Sequence, residues 1–79
     1  MMKLWWQESP IIKDMWRLFD ANDPGPRALC EVATHALWSS NTYPWRLQMF
    51  FPERTLDEFA TLEEAKSWAE EVVQQGKLQ

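Results

Sequence analysis

The chain has 79 residues, of which 46% are hydrophobic and 25% charged, and a net charge of -4, which makes one globular domain with no room for a second. The acidic balance repels phosphate backbones and argues against direct nucleic-acid binding, while the longest apolar run, Met49-Phe50-Phe51, is far short of the ~18 residues of a membrane-spanning helix. One cysteine, Cys30, excludes an internal disulfide, and six tryptophans exceed what so small a core can hide, since such a domain buries only about 60% of its unfolded surface.

In chain order, Lys3-Leu4-Trp5-Trp6-Gln7 and Met15-Trp16-Arg17-Leu18-Phe19 read as short strands. Asn22-Asp23-Pro24-Gly25-Pro26 reads as a turn, with proline setting φ and Gly25 supplying the positive φ that a reversal often needs. Residues 27–38 admit two readings. As a helix, Ala28, Leu29, Val32, Ala33, Ala36 and Leu37 line one face; as a strand, Cys30, Val32 and Thr34 oppose Leu29, Glu31 and Ala33. Turns at residues 22–26 and 39–43 favour the strand, because consecutive strands pair through short connections, and a second helix at residues 27–38 is the alternative. Two prolines bracket the clearest strand, residues 44–52, with Trp45, Leu47, Met49 and Phe51 on one side and Arg46, Gln48 and Phe50 on the other.

The clearest helix spans about residues 62–75. Thr61-Leu62-Glu63-Glu64 is a capping box, and Leu62, Ala65, Trp68, Ala69, Val72 and Val73 form one apolar stripe. Gly76 is placed to stop it in a left-handed C-cap, with Lys77 near the negative end of the dipole.

These elements resemble, in order and pattern, small orphan proteins of phages and other mobile elements. The resemblance runs over about residues 15–75: a Trp-x-Leu strand, an Ala/Val strand, a Tyr-Pro-Trp-Arg-Leu strand, then Phe59-Ala60-Thr61-Leu62-Glu63-Glu64-Ala65-Lys66 opening a terminal helix. It implies an antiparallel meander packed on one side by a helix, in a class whose members bind and block host proteins, anti-CRISPR and anti-restriction proteins among them. It assigns no functional residue.

The residues offer little chemistry. Cys30 and His35 point to opposite faces of a strand, or about 140° apart on a helix, so they make no nucleophile–base pair. One Cys and one His cannot supply a zinc site, and Glu63/Glu64 and Glu70/Glu71 lie on an open helical face where nothing shifts their titration. No enzyme activity, cofactor or metal is therefore expected. The lone thiol and an N-terminus that meets charge before any signal-like apolar stretch lead to the expectation of a cytoplasmic protein.

The expected fold is α+β: a three- to four-stranded antiparallel meander with one C-terminal amphipathic helix on one face. A 14-residue helix, roughly 21 Å long, covers one face only. Trp16, Leu18, Cys30, Val32, Trp45 and Trp68 are then expected in the core. Met15, Arg17, Phe19, Arg46 and Phe50 face the open side, unless the segment around Trp5 and Trp6 or the Ile11-Ile12 loop folds over it. Arg17, Phe19, Arg46 and Phe50, with Trp5 and Trp6, are thus the candidate partner-binding residues for a host protein or complex. Residues 51–79 carry the whole acidic excess, and Glu63 and Glu70 stand for a second surface, suited to a basic partner. Self-association into a homodimer or an assembly is one alternative function; stacking of single-stranded nucleic acid on an aromatic sheet is the other.

Overall fold

The computed structural model describes residues 3–23, 25, 27–34 and 42–78, with side chains as far as Gly76. Five strands, β1 (Leu4–Glu8), β2 (Met15–Asp20), β3 (Cys30–Ala33), β4 (Trp45–Met49) and β5 (Thr55–Phe59), precede one helix, α1 (Leu62–Leu78). The strands form a single antiparallel sheet whose spatial order is the chain order, β1-β2-β3-β4-β5. The α+β meander with a C-terminal helix is therefore the fold, with one strand more than expected. Residues 30–33 are a strand, as the neighbouring turns favour; residues 35–38, including His35 and Trp38, lie outside the described residues.

Local chemistry shapes the connections. Between β1 and β2 the Ser9 hydroxyl accepts from the amides of Ile11 and Ile12 at 3.3 and 3.0 Å, and Asp14 takes a left-handed φ of 58°, a conformation Asp tolerates better than most residues. After β2 the Asp20 carboxylate accepts from the Asn22 amide at 2.9 Å, and that of Asp23 from the Gly25 amide at 2.9 Å. Gly25 does this without a positive φ, so the left-handed geometry expected of it is not used; the Asx-type bonds hold the turn instead. Past β4, the single Leu29 carbonyl accepts from the amides of both Phe50 and Phe51, at 2.9 and 3.2 Å. Two residues opposing one is the bonding pattern of a β-bulge, and it ends the alternation of β4 at Met49. The Phe51–Pro52 peptide that follows is cis.

α1 opens with one of the two bonds of a capping box, the Thr61 hydroxyl accepting from the Glu64 amide at 3.2 Å, and with Glu63 and Glu64 in the first turn, where the dipole favours them. It packs over β3, β4 and β5. Leu18, Leu29, Cys30, Val32, Leu47 and Met49 from the sheet side meet Ala65, Ala69 and Val73 of the helix in one buried core, with Trp6, Trp16, Trp45, Phe51 and Phe59 packed at its margins.

Two expectations for the helix need correction. Gly76 does not terminate it, since the helix continues to Leu78 and no glycine has a positive φ. Gly76 instead marks a close approach: a Cβ there would lie 2.8 and 2.9 Å from Pro52 ring carbons and 3.1 Å from the Phe51 ring. Trp68 is not core. It is 44% exposed, because the buried line runs through Ala65, Ala69 and Val73, and Trp68 falls on the β5 flank, where it meets Phe59 at 6.2 Å between centroids.

Candidate functional site

Alternation fixes what each face of the sheet presents. On the helix side lie Trp6, Trp16, Leu18, Cys30, Val32, Leu47, Met49 and Phe59. The other side receives Trp5 and Gln7 from β1, Met15, Arg17 and Phe19 from β2, Glu31 and Ala33 from β3, Arg46 and Gln48 from β4, and Leu56 and Glu58 from β5. No described helix covers that second face.

At its β1 end, the Trp5 and Phe19 rings stack with centroids 5.0 Å apart and planes 26° from parallel. The two residues are directly opposite in register, and such a pair contributes about 0.5–1.5 kcal/mol beyond its buried area. Trp5 remains 44% exposed. One cross-strand step away, Arg17 Nε donates to Glu31 Oε1 at 3.1 Å, also between directly opposed residues. Its side chains are 48% and 23% exposed, so the pair contributes only ~0.2–1 kcal/mol.

Towards β5 the face hollows into an open groove of about 430 Å³ lined by Met15, Glu31, Ala33, Arg46, Gln48, Arg54, Thr55 and Leu56. Met15, Ala33 and Leu56 are its apolar lining, Arg46 and Arg54 line it as well, and Glu58 is opposite Arg46 in register. Across the whole face, Arg17, Arg46 and Arg54 outnumber Glu31 and Glu58 by three to two. A chain of net charge -4 thus keeps one face locally positive, and its acidic residues concentrate elsewhere. On α1, Glu63, Glu64 and Glu71 are exposed and Glu70 is half-buried.

The structure therefore brings together Trp5, Arg17, Phe19 and Arg46 of the residues expected to bind a partner, and separates the others. Phe50 sits beyond the end of β4, half-buried, and does not line the groove. Trp6 projects to the helix side, where the Lys66 ammonium stands 5.3 Å from its ring and 3.8 Å from that of Trp16. Neither the N-terminal segment nor the Ile11-Ile12 loop folds over the open face: the first becomes β1, and in the second Ile11 is 90% exposed at the hairpin tip. Arg54, Leu56 and Glu58 were missed because Thr55-Leu56-Asp57-Glu58-Phe59 is too acidic to read as a strand. The signal available was the short run from Phe50 to Arg54, of hairpin length, between Met49 and an alternating Thr55/Asp57/Phe59 set.

Cys30 is fully buried. Burial pushes its thiol from 9.0 up to about 12, the Glu70 and Glu31 carboxylates add to the rise, and a hydrogen bond with the Leu18 main chain opposes it. Buried and with its ionisation disfavoured, the thiol fills the core as a small packing group. Among the described residues no three His, Cys, Asp or Glu side chains are grouped as metal ligands would be, and no helix is long and apolar enough to cross a membrane.

The class defined by this fold and face is a small α+β meander, helix-backed on one side and, among the described residues, uncovered on the other. No family model, curated protein or solved structure matches the chain.

Proposed function

We propose that the protein is a non-enzymatic binding module whose contact surface is the open face of its sheet, and that it acts as small mobile-element inhibitors do, by occupying a surface of a host protein complex. The observation that carries this reading is a face, uncovered among the described residues, that combines a stacked aromatic pair, a groove of mixed apolar and polar lining and a local excess of guanidinium groups. Aromatic residues, Met and Arg are the side chains enriched at interface centres. The charge of the face selects a partner patch that is apolar with carboxylates around it, since complementary potentials set orientation and association rate. A phosphodiester would also meet the arginines, but the net acidity of the chain opposes its approach.

A second reading has its own observation: Glu63, Glu64 and Glu71 point to solvent from one helix, a surface for a basic partner. The two are separated by capture of the tagged protein's partner from a host lysate with surface variants. On the open-face reading, one stoichiometric partner is held at high salt by the native chain and lost by Trp5→Ala combined with Arg54→Glu, with an unchanged far-UV circular dichroism spectrum. Loss on Glu63→Lys with Glu71→Lys instead transfers the function to the helix. Retention by both variants overturns both readings.

A further inference from the structure

Among the described residues no strand pairs with the outer side of β1, and the phase of its backbone can be read from its neighbours. The Ser9 amide donates to the Met15 carbonyl at 2.9 Å, and the Lys3 carbonyl accepts from the Ala21 amide at 2.8 Å. In an antiparallel ladder, residues that direct both backbone groups to the neighbour alternate with residues that direct both away. Lys3, Trp5, Gln7 and Ser9 therefore bond to β2, while Leu4, Trp6 and Glu8 aim their N–H and C=O groups out of the sheet. The register with β2 is unbroken from Leu4 to Glu8, so no bulge twists this edge away.

The opposite edge is defended along its middle and this one only at its end, where Glu8 falls on the helix side with Trp6. β5 carries Asp57 and Glu58, with Asp57 on the side that alternation turns towards the helix; inward-pointing charge on an edge strand is a recognised block to further pairing. The middle of β1 is Trp5-Trp6-Gln7, with neither charge nor proline.

We infer that β1 pairs with β1 of a second copy of this chain, antiparallel about a two-fold axis at Trp6, to make one continuous sheet through the dimer. The strand begins and ends on outward-directing residues, so this register uses all of them: Trp6 against Trp6 of the second copy, and Leu4 against Glu8 in both directions, two hydrogen bonds per pair. Charge selects the antiparallel sense by exclusion: an in-register parallel pair would set Lys3 beside Lys3 and Glu8 beside Glu8, each pair on one face, whereas this register sets Lys3 across from Ser9 and Glu8 across from Leu4. Such an interface is isologous and closed, which stops it from propagating into fibres. Trp5 then lies across from Gln7 of the second copy, and the two Trp5–Phe19 stacks join in one doubled open face.

The test is sedimentation equilibrium of the full chain from low micromolar to millimolar concentration, with amide hydrogen exchange at both ends of that range. The expected result is a shift from 9.4 kDa to twice that mass. The amides of Leu4, Trp6 and Glu8 gain protection as it occurs, while those of Trp5 and Gln7 are protected throughout. Glu8→Pro deletes an outward N–H and leaves the bonds to β2 in place, so it weakens dimerisation about tenfold or more without changing the circular dichroism of the dilute protein. A monomer at every concentration overturns the inference, as does a dimer whose Leu4, Trp6 and Glu8 amides stay unprotected. Arg54→Glu leaves this equilibrium unchanged, so failure here is distinct from failure of the open-face reading.

Discussion

The two faces of this sheet are built from the same strands, residue by residue in alternation, yet they obey different rules. On the helix side, Leu18, Cys30, Val32 and Leu47 are each 0% exposed, and the helix meets them through Ala65 and Ala69, residues small enough to let it come close. On the other side the strands offer Trp5, Arg17, Phe19, Arg46 and Leu56, and its polar contacts include a partly exposed ion pair, Arg17–Glu31. One face holds the fold through full burial; the other presents side chains that are more exposed, Trp5 and Leu56 among them. That difference is the physical basis for placing function on the second face.

The contrast is tested most sharply by truncating the dry face. Leu47→Ala removes a fully buried side chain and lowers stability by about 2–5 kcal/mol, enough to unfold a domain of this size at room temperature, which a urea titration followed by circular dichroism will show. Gly76→Ala is the more diagnostic change. Propensity alone predicts a gain of up to ~1 kcal/mol in a helix interior, but the new Cβ would lie 2.8 Å from the Pro52 ring, a stiff neighbour, so the variant loses roughly 1–3 kcal/mol. A rise in thermal midpoint for Gly76→Ala would mean that α1 does not dock on residues 51–52.

Cys30 supplies a pH test of the same face. Its folded pKa, about 12, lies above the ordinary 9.0, so its contribution to stability is complete below pH 9 and is lost progressively as pH rises from 9 towards 12. Relative to native, Cys30→Ala should have a flatter alkaline stability profile, and the native thiol should react with a disulfide reagent at pH 8 only when the protein opens. Fast labelling of folded protein would place Cys30 outside the core.

Smaller effects follow at the margins. Lys66 stands over Trp16 and Trp6, so Lys66→Gln costs about 0.5–2 kcal/mol and should shift the tryptophan fluorescence. Arg17→Ala, on the open face, costs at most ~1 kcal/mol. If its loss equalled that of Leu47→Ala, the open face would be holding the fold and the division drawn between the faces would fail.

Much of this was legible in the residues. The cap at Thr61, the stripe through Ala65, Ala69 and Val73, the alternation of Trp45 to Met49 within the proline-bracketed strand and the sorting of Arg17, Phe19 and Arg46 away from the helix all rest on contacts or alternation over a few residues, which local sequence encodes. β5 escaped because its charge masks its strand pattern, and Arg54 escaped with it, since its place beside Arg46 exists only once the hairpin closes. Trp68 and Gly76 were misread for one reason: helical period locates a face to within a residue or two, and the neighbour that chooses between Ala69 and Trp68, or between a cap and a close approach, arrives from Phe51, Pro52 and Phe59.

By itself, then, the sequence determined the terminal helix, the antiparallel order of the first four strands and the faces of β2 and β4, because periods of 2 and 3.6 residues and helix caps are short-range properties. Only the tertiary structure decided which tryptophans are packed and which are presented, where the bulge after Met49 breaks alternation, and which edge of the sheet is left open. Those outcomes depend on register and on partners far apart in the chain, where the competition is between whole surfaces and not between neighbouring residues.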